Sequence, residues 1–265
     1  MTEGDTLHRA ATQLAPTLEG AAVESAGGAF GQRHAEMLVG RCVTRVEARG
    51  KNLLVWLDDA WVIHSHLGMT GAWHVYPPGV PWNKPARQAE LVLSTGSAVA
   101  VCFSPKTIDL LSKTEYRRHR YLQRLGPDLM LPGLDVEAAI ERFRVHDITP
   151  IGEAVMNQTI VCGIGNVYKS ESLFVCRMDP WARVGSFSDE QLARYLKTTQ
   201  RLMLRNRTGG KRRTRFRPDG NRLWVYGRRG EACHECGEAI AMRRQGDQGR
   251  STYWCPACQP RSTCG

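Results

Sequence analysis

Near its C-terminal end the chain reads Cys233-His234-Glu235-Cys236, then eighteen residues, then Cys255-Pro256-Ala257-Cys258. No other stretch limits the fold so tightly. In a Cys-x-x-Cys knuckle a tight turn brings positions i and i+3 together, so each knuckle offers two thiolates to one ion. Two knuckles at this separation make a closed four-sulfur site, the donor set of a structural Zn²⁺, and Cys233, Cys236, Cys255 and Cys258 are the expected ligands. Gly237 relieves the turn after the first knuckle. Residues 239–242 and 250–254 read as two short strands around Gly246-Asp247-Gln248-Gly249. A hairpin of this size has almost no core, so one Zn²⁺ per chain is expected to hold it. Two redox dithiols or chance spacing are the competing readings; the strand–turn–strand context favours zinc.

The charge is uneven. Of 36 Lys+Arg and 26 Asp+Glu among 265 residues, positions 201–265 hold 15 and 5, so the whole net charge of +10 lies in that last quarter. A neutral body with a basic end is the footprint of a polyanion binder. Phe216, Trp224 and Tyr226 interleave the arginines, which a plain solubility tail would not need. No apolar run approaches the ~20 residues of a membrane span, and the first residues lack a charged-then-apolar signal pattern. The remaining cysteines, Cys42, Cys102, Cys162, Cys176 and Cys264, are scattered and odd in number, which points to a reducing compartment rather than a disulfide framework.

In chain order, Asp5 is expected to cap a helix with Leu7, Ala10, Ala11 and Leu14 on its apolar face, and Pro16 to kink or end it. Gly27, Gly28 and Gly31 mark a loop. Residues 53–57, 61–67, 72–76, 91–94, 98–103 and 107–111 fit strands, with Asp58-Asp59 and Thr95-Gly96-Ser97 as turns. This spacing suggests a sandwich or barrel. Trp61, Ile63, Ser65 and Leu67 fall on one face; Val62, His64 and His66 fall on the other. The two histidines have no evident third ligand and read as sheet-face residues with ordinary partners. Beyond about residue 125 the pattern turns helical. A linker around 126–133 leads to a helix capped by Asp135, a start at Thr149-Pro150, a tight turn at residues 163–166, and a helix over 167–175. Last comes a long helix opened by Ser188-x-x-Gln191 with Leu192, Tyr195, Leu196, Thr199 and Met203 as its buried stripe. The basic stretch 205–222 is expected to be mobile.

These residues, taken together, resemble the formamidopyrimidine-DNA glycosylase and endonuclease VIII family of base-excision repair enzymes. The resemblance rests on Glu3-Gly4-Asp5, Arg49-Gly50-Lys51, His66-Leu67-Gly68-Met69-Thr70-Gly71 and Leu125-Gly126-Pro127-Asp128. It continues through Gly163-Ile164-Gly165-Asn166-Val167-Tyr168 and Arg250-Ser251-Thr252-Tyr253-Trp254-Cys255, in that order along the whole chain. It implies a multidomain α+β fold: an N-terminal β-sandwich over 1–125, a helix–two-turn–helix region with basic linker over 126–222, and a zinc-finger hairpin over 223–265. The implied partner is damaged DNA, bound by a monomer in the bacterial cytoplasm beside the nucleoid, with no membrane involved.

The resemblance also assigns roles. The amine of residue 2, exposed by removal of Met1, attacks the sugar C1′ and forms a Schiff base. Glu3 moves protons to and from the sugar. Lys51 and Asn166 contact the lesion phosphate, Arg250 contacts phosphate and serves the second elimination, and Met69 fills the gap left by the everted base. The Arg and Phe wedge of the oxoguanine-directed branch is absent; Ile108-Asp109-Leu110-Leu111 stands there instead. That tilts the reading to the endonuclease VIII branch and to oxidised pyrimidines. Thr2 replaces the family's usual proline, and weak or variable abasic-site lyase activity is expected. The alternatives are a family member that binds damaged DNA without catalysis, and a zinc-ribbon RNA or transcription factor that would leave the N-terminal motifs unexplained.

Overall fold

The computed structural model describes residues 2–260, and the chain divides after Arg124 into two compact units. The first unit opens with helix α1, Gly4–Leu18. Its start differs from expectation: Glu3 occupies the capping position without a side-chain cap, and Asp5 lies in the first turn, accepting from Thr6 N at 2.9 Å. Pro16 does not end the helix. Proline removes one N–H, but so near the C-terminus only a single intrahelical bond is lost, and Leu14 and Leu18 stay fully buried on the same face.

Strand β1 (Ser25–Gly27) and two short helices, α2 (Gly28–Arg33) and α3 (Ala35–Leu38), replace the expected glycine loop. Then come β2 (Val43–Arg49), β3 (Asn52–Leu57), β4 (Trp61–His66), β5 (Ala72–Tyr76), β6 (Ala89–Ser94), β7 (Val99–Phe103) and β8 (Thr107–Ser112). They form two antiparallel sheets, ordered β1-β6-β7-β5 and β2-β3-β4-β8. Leu53, Val55 and Ile63 of one sheet share a core with Trp73, Leu91 and Leu93 of the other and with Leu7 and Leu14 of α1. The Trp73 indole donates across to Ser65 Oγ at 2.9 Å. This is the expected β-sandwich. Strand β2 escapes the sequence pattern because its register shifts between Val43 and Arg45, which breaks the period-two alternation.

The outer face of the second sheet is covered too. Helices α4 (Lys113–Arg118) and α5 (Arg120–Gln123) follow β8, and Tyr116 meets Trp56 edge-on at 4.8 Å while His119 meets His64 at 5.6 Å. So every residue of β3 is buried, not alternate ones. The capping box of α4, Ser112 with Glu115, is written in the sequence at the usual spacing.

The second unit is helical: α6 (Val136–Arg144), α7 (Ile151–Ala154), α8 (Asn166–Val175) and α9 (Asp189–Leu204). Asp135 caps α6 through Ala138 N at 2.9 Å, and Ser188 and Gln191 form the capping box of α9. Phe143, Ile164, Tyr168, Leu192, Tyr195, Leu196 and Met203 form its core, each such side chain contributing about 1.5–3 kcal/mol on burial. The stretch at Gly126 is packed and not a free linker: its N–H donates to Gln158 O at 2.9 Å, and a Cβ there would lie 2.3 Å from Ile160 O.

Part of the basic stretch is held in place. Asn206 accepts from Arg213 N and donates to Arg213 O, both at 2.7 Å, and Thr214 and Arg215 are buried. Beyond it, β9 (Ala241–Gln245) and β10 (Arg250–Trp254) pair as the expected hairpin. The hairpin does have a core: Ile240, Val225 and Cys255 pack on Phe174 of α8. Among the described residues no helix is long and apolar enough to cross a membrane.

Candidate active site

In the first unit, α1 fixes the start of the chain. Its buried face holds the helix on the sheet, and the Glu3 carbonyl accepts from Thr6 N (2.9 Å) and Leu7 N (3.3 Å), so Thr2 and fully buried Glu3 sit at a rigid end. The Thr2 hydroxyl donates to Gly68 O. Gly68 belongs to the loop after β4, which is tightly closed. Gly71 N donates to Leu67 O at 3.0 Å, and Gly68 N to His66 Nδ1 at 3.2 Å. Met69, at the tip, is 68% exposed, which suits a side chain that inserts elsewhere and not one of the sheet core. His66 is held neutral, its pKa pushed down to about 4 by burial first and then by Lys106 and Lys51. A neutral Nδ1 is what the Gly68 amide requires.

Lys51 stands in the two-residue turn joining β2 and β3, where Arg49 pairs with Asn52 and Gly50 has φ +59°. Asn52 braces that turn: Nδ2 donates to Arg49 O at 3.0 Å, and Oδ1 lies 2.9 Å from His64 Nε2. His64 is buried, which lowers its pKa, while Asp109 at 3.3 Å from Nδ1 opposes the shift. His64 therefore has sheet neighbours in Asn52 and Asp109, and His66 a loop partner in the Gly68 amide.

In the second unit, Asn166 is the first residue of α8, with Gly165 at the cap. The preceding turn is stapled by Gln158, which accepts from Gly163 N (3.0 Å) and donates to Met156 O (2.8 Å) and Ile164 O (3.2 Å). Asn166 Oδ1 is buried without a hydrogen-bond partner, a cost of about 1–3 kcal/mol. Arg250 opens β10, exposed, its guanidinium donating to Gln248 Oε1 at 2.9 and 3.1 Å. Two side chains that sequence reasoning missed tie β10 to α8. Lys169 Nζ donates to Thr252 Oγ1 at 2.8 Å, and Ser170 Oγ accepts from Tyr253 N at 3.3 Å. A third, Glu171, accepts from Trp224, Val225 and Tyr226 N–H groups and from Thr214, and so anchors the approach to the hairpin. Only burial could have identified these three; as isolated letters on a helix they carry no signal.

The four cysteine sulfurs lie within 4.8 Å of one another, with Cys233–Cys258 at 3.9 Å and Cys236 at 3.5 Å from both Cys255 and Cys258. A tetrahedron with metal–sulfur bonds of about 2.3 Å has edges of about 3.8 Å, so the donor set fits a four-thiolate ion in both chemistry and spacing.

Residues 1–105 match the model of the formamidopyrimidine-DNA glycosylase N-terminal domain, and residues 125–217 that of the formamidopyrimidine-DNA glycosylase H2TH domain. A probable endonuclease 8 2 of Streptomyces coelicolor is 37% identical over 98% of this chain and 94% of its own length. The chain belongs to the formamidopyrimidine-DNA glycosylase and endonuclease VIII family. Within it the relatives place the chain in the endonuclease VIII branch. The DNA-(apurinic or apyrimidinic site) lyase Nei2 of Mycolicibacterium smegmatis is 33% identical over 99% of this chain and all of its own. The fold of the family is matched as well. A crystal structure of Lactococcus lactis formamidopyrimidine-DNA glycosylase bound to DNA containing an abasic site aligns with a TM-score of 0.82 at 22% identity, covering 98% of this chain and 100% of that one. Of the site residues expected from the sequence, Thr2, Glu3, Lys51 and Met69 lie in the first unit; Asn166, Arg250 and the four cysteines lie in the second.

Proposed function

We propose that this chain removes oxidised pyrimidines from DNA by attack of the Thr2 α-amine on the sugar C1′ of the damaged nucleotide. Its class is that of its family: a DNA glycosylase and abasic-site lyase of base-excision repair. The observation that carries the reading is the rigid start of α1, which holds Thr2 beside buried Glu3 and against the Met69 loop.

With Met1 removed, the amine has a reference pKa of about 7.7–8.0, against about 10.4 for lysine. The terminus is thus the better nucleophile and Lys51 the better phosphate-binding cation. The amine lone pair bonds to C1′ as the glycosidic bond breaks, and the base leaves with its electron pair and takes up a proton. Glu3 carries protons to and from the sugar. The C1′–O4′ bond then breaks as C1′=N forms, O4′ taking up a proton from Glu3 and the nitrogen losing one, to give the ring-opened imine, which acidifies C2′; loss of a C2′ proton then expels the 3′ phosphate. Lys51 and Asn166 hold the lesion phosphate, Arg250 serves the second elimination, and Met69 fills the vacated stack. Cys233, Cys236, Cys255 and Cys258 hold one Zn²⁺, which with four thiolates is structural. The work divides among regions 1–125, 126–222 and 223–265, in a monomer acting in the cytoplasm beside the nucleoid.

A primary amine's imine can become neutral, whereas proline's must stay cationic and draws electrons from C2′ without needing a proton. Base release should therefore outpace strand cleavage, and Thr2→Pro should raise the cleavage-to-excision ratio. The test is borohydride trapping on a panel of lesion and abasic oligonucleotides, with mass spectrometry of the adduct. An adduct on Lys51, or full activity with Met1 retained, refutes the nucleophile; no adduct on any substrate favours a damaged-DNA-binding protein.

A further inference from the structure

We propose that the side-chain hydroxyl of Thr2 is functional alongside its amine: by donating to Gly68 O it locks the direction of the nucleophile and joins it to the base of the Met69 loop. The inference rests on the reading of Thr2 as the nucleophile.

The clamp spans 66 positions of sequence and ends on a carbonyl that cannot readily move. Gly68 has φ +65°, and a Cβ there would lie 2.9 Å from Lys106 Cβ. Its amide is held by His66 Nδ1, and Lys106 N donates to His66 O at 2.8 Å. Gly71 closes the loop from the other side, where a Cβ would meet Leu67 O at 2.4 Å. Behind Thr2 stands buried Glu3 and the first turn of α1.

Proline's ring fixes the bonds around its own nitrogen and so aims the lone pair. Threonine has no such ring, and an N-terminal amine on an untethered residue swings with the backbone. Here two substituents of the Thr2 Cα are pinned, the carbonyl carbon through its peptide bond to buried Glu3 at the cap of α1 and Cβ by the hydroxyl bond. At a carbon of fixed chirality, two pinned substituents set the third, which is the amine nitrogen. Only rotation about Cα–N remains, and that leaves the nitrogen in place. Met69 directly follows Gly68, so the amine and the void-filling side chain ride on one stiff piece. Insertion of Met69 into the stack then brings the amine with it.

The experiment compares wild type, Thr2→Val and Thr2→Ser as full-length protein, each confirmed by mass spectrometry to lack Met1. Valine keeps the β-branch and the primary amine but lacks the hydroxyl; serine keeps the hydroxyl and loses only the methyl. Single-turnover borohydride trapping on an abasic duplex gives the rate, anisotropy on a non-reactive abasic analogue gives the affinity, and thermal melting reports the fold. Misplacing a nucleophile by about 1 Å costs about 10²-fold, so Thr2→Val should trap about 10- to 100-fold more slowly while Thr2→Ser stays within about threefold of wild type. Affinity and melting should be unchanged, and the rate plateau should fall without moving the amine's pH midpoint. Equal rates for valine and wild type, or failure of serine to rescue, with the adduct still on residue 2, overturn the clamp alone. An adduct on another residue overturns the nucleophile reading, and the clamp falls with it.

Discussion

Replacing Glu171 with glutamine should release the segment that leads into the cysteine hairpin. The carboxylate is fully buried and divides four donors evenly between its two oxygens. One oxygen takes Val225 N (2.9 Å) and Tyr226 N (2.7 Å); the other takes Trp224 N (2.7 Å) and the Thr214 hydroxyl. Glutamine has one acceptor oxygen; with that oxygen on Val225 and Tyr226, its NH₂ group faces the Trp224 N–H, while the Thr214 hydroxyl can turn to accept from it. One hydrogen bond to a charged group is lost, at about 1.5–3 kcal/mol, and the others weaken from charge-assisted to neutral. Burying a neutral amide instead of a carboxylate returns part of that. Burial pushes the Glu171 pKa up, and its four hydrogen bonds pull it back. The net local loss should be about 2–4 kcal/mol, or roughly 30- to 1,000-fold more frequent opening. Hydrogen exchange at the amides of residues 224–226 measures it directly, with the β-sandwich amides as an internal reference. Unchanged protection would refute the reasoning, because it would mean that Glu171 is protonated in the wild type and that glutamine replaces it nearly isosterically.

Elemental analysis should find one Zn²⁺ per chain, and Cys233→Ser should unravel the hairpin and withdraw Arg250 while the β-sandwich stays folded; zinc-free active protein would contradict this. If the basic end and Lys51 together meet ~4–6 phosphates, log K on duplex DNA should fall against log[salt] with a slope of about −4 to −5. Lys51→Ala and Arg250→Ala should each flatten that slope by about one, and a slope near zero would exclude the model. His66 titrates near 4 in the folded chain against 6.5 when free, so the unfolded chain binds the extra proton between those values. The stabilisation it provides is full above pH ~6.5 and lost as pH falls towards ~4. Because the ring is partly exposed, screening limits the effect to about 1–2 kcal/mol. Urea midpoints of wild type and His66→Asn should therefore converge across that window; parallel curves would show that His66 is not held neutral.

Much of this molecule is local, and local chemistry is legible in a sequence. The caps at Asp135 and Ser188, the stripe of α9, the two knuckles and most sandwich strands depend on residues a few positions apart, and they lie where the pattern puts them. Where one rule met a second, local reading failed. Pro16 sits inside a helix because a buried face outweighs one missing bond. Strand β2 hides behind a register shift, and β3 is apolar throughout because α4 and α5 cover a face that alternation assigns to solvent.

The site divides along the same line. The sequence alone determined the four cysteines, the basic end, and the short motifs that carry Thr2, Glu3, Lys51, Met69, Asn166 and Arg250. Tertiary structure alone decided what holds them: the Thr2 hydroxyl on Gly68, Asn52 and His64 under the Lys51 turn, and Lys169 and Glu171 behind Arg250 and the hairpin. Those supports join residues from 12 to 83 positions apart. A buried lysine, a buried glutamate and a glycine carbonyl acquire meaning only from the partner that folding brings to them, because a hydrogen bond is fixed by distance in space and not by spacing along the chain.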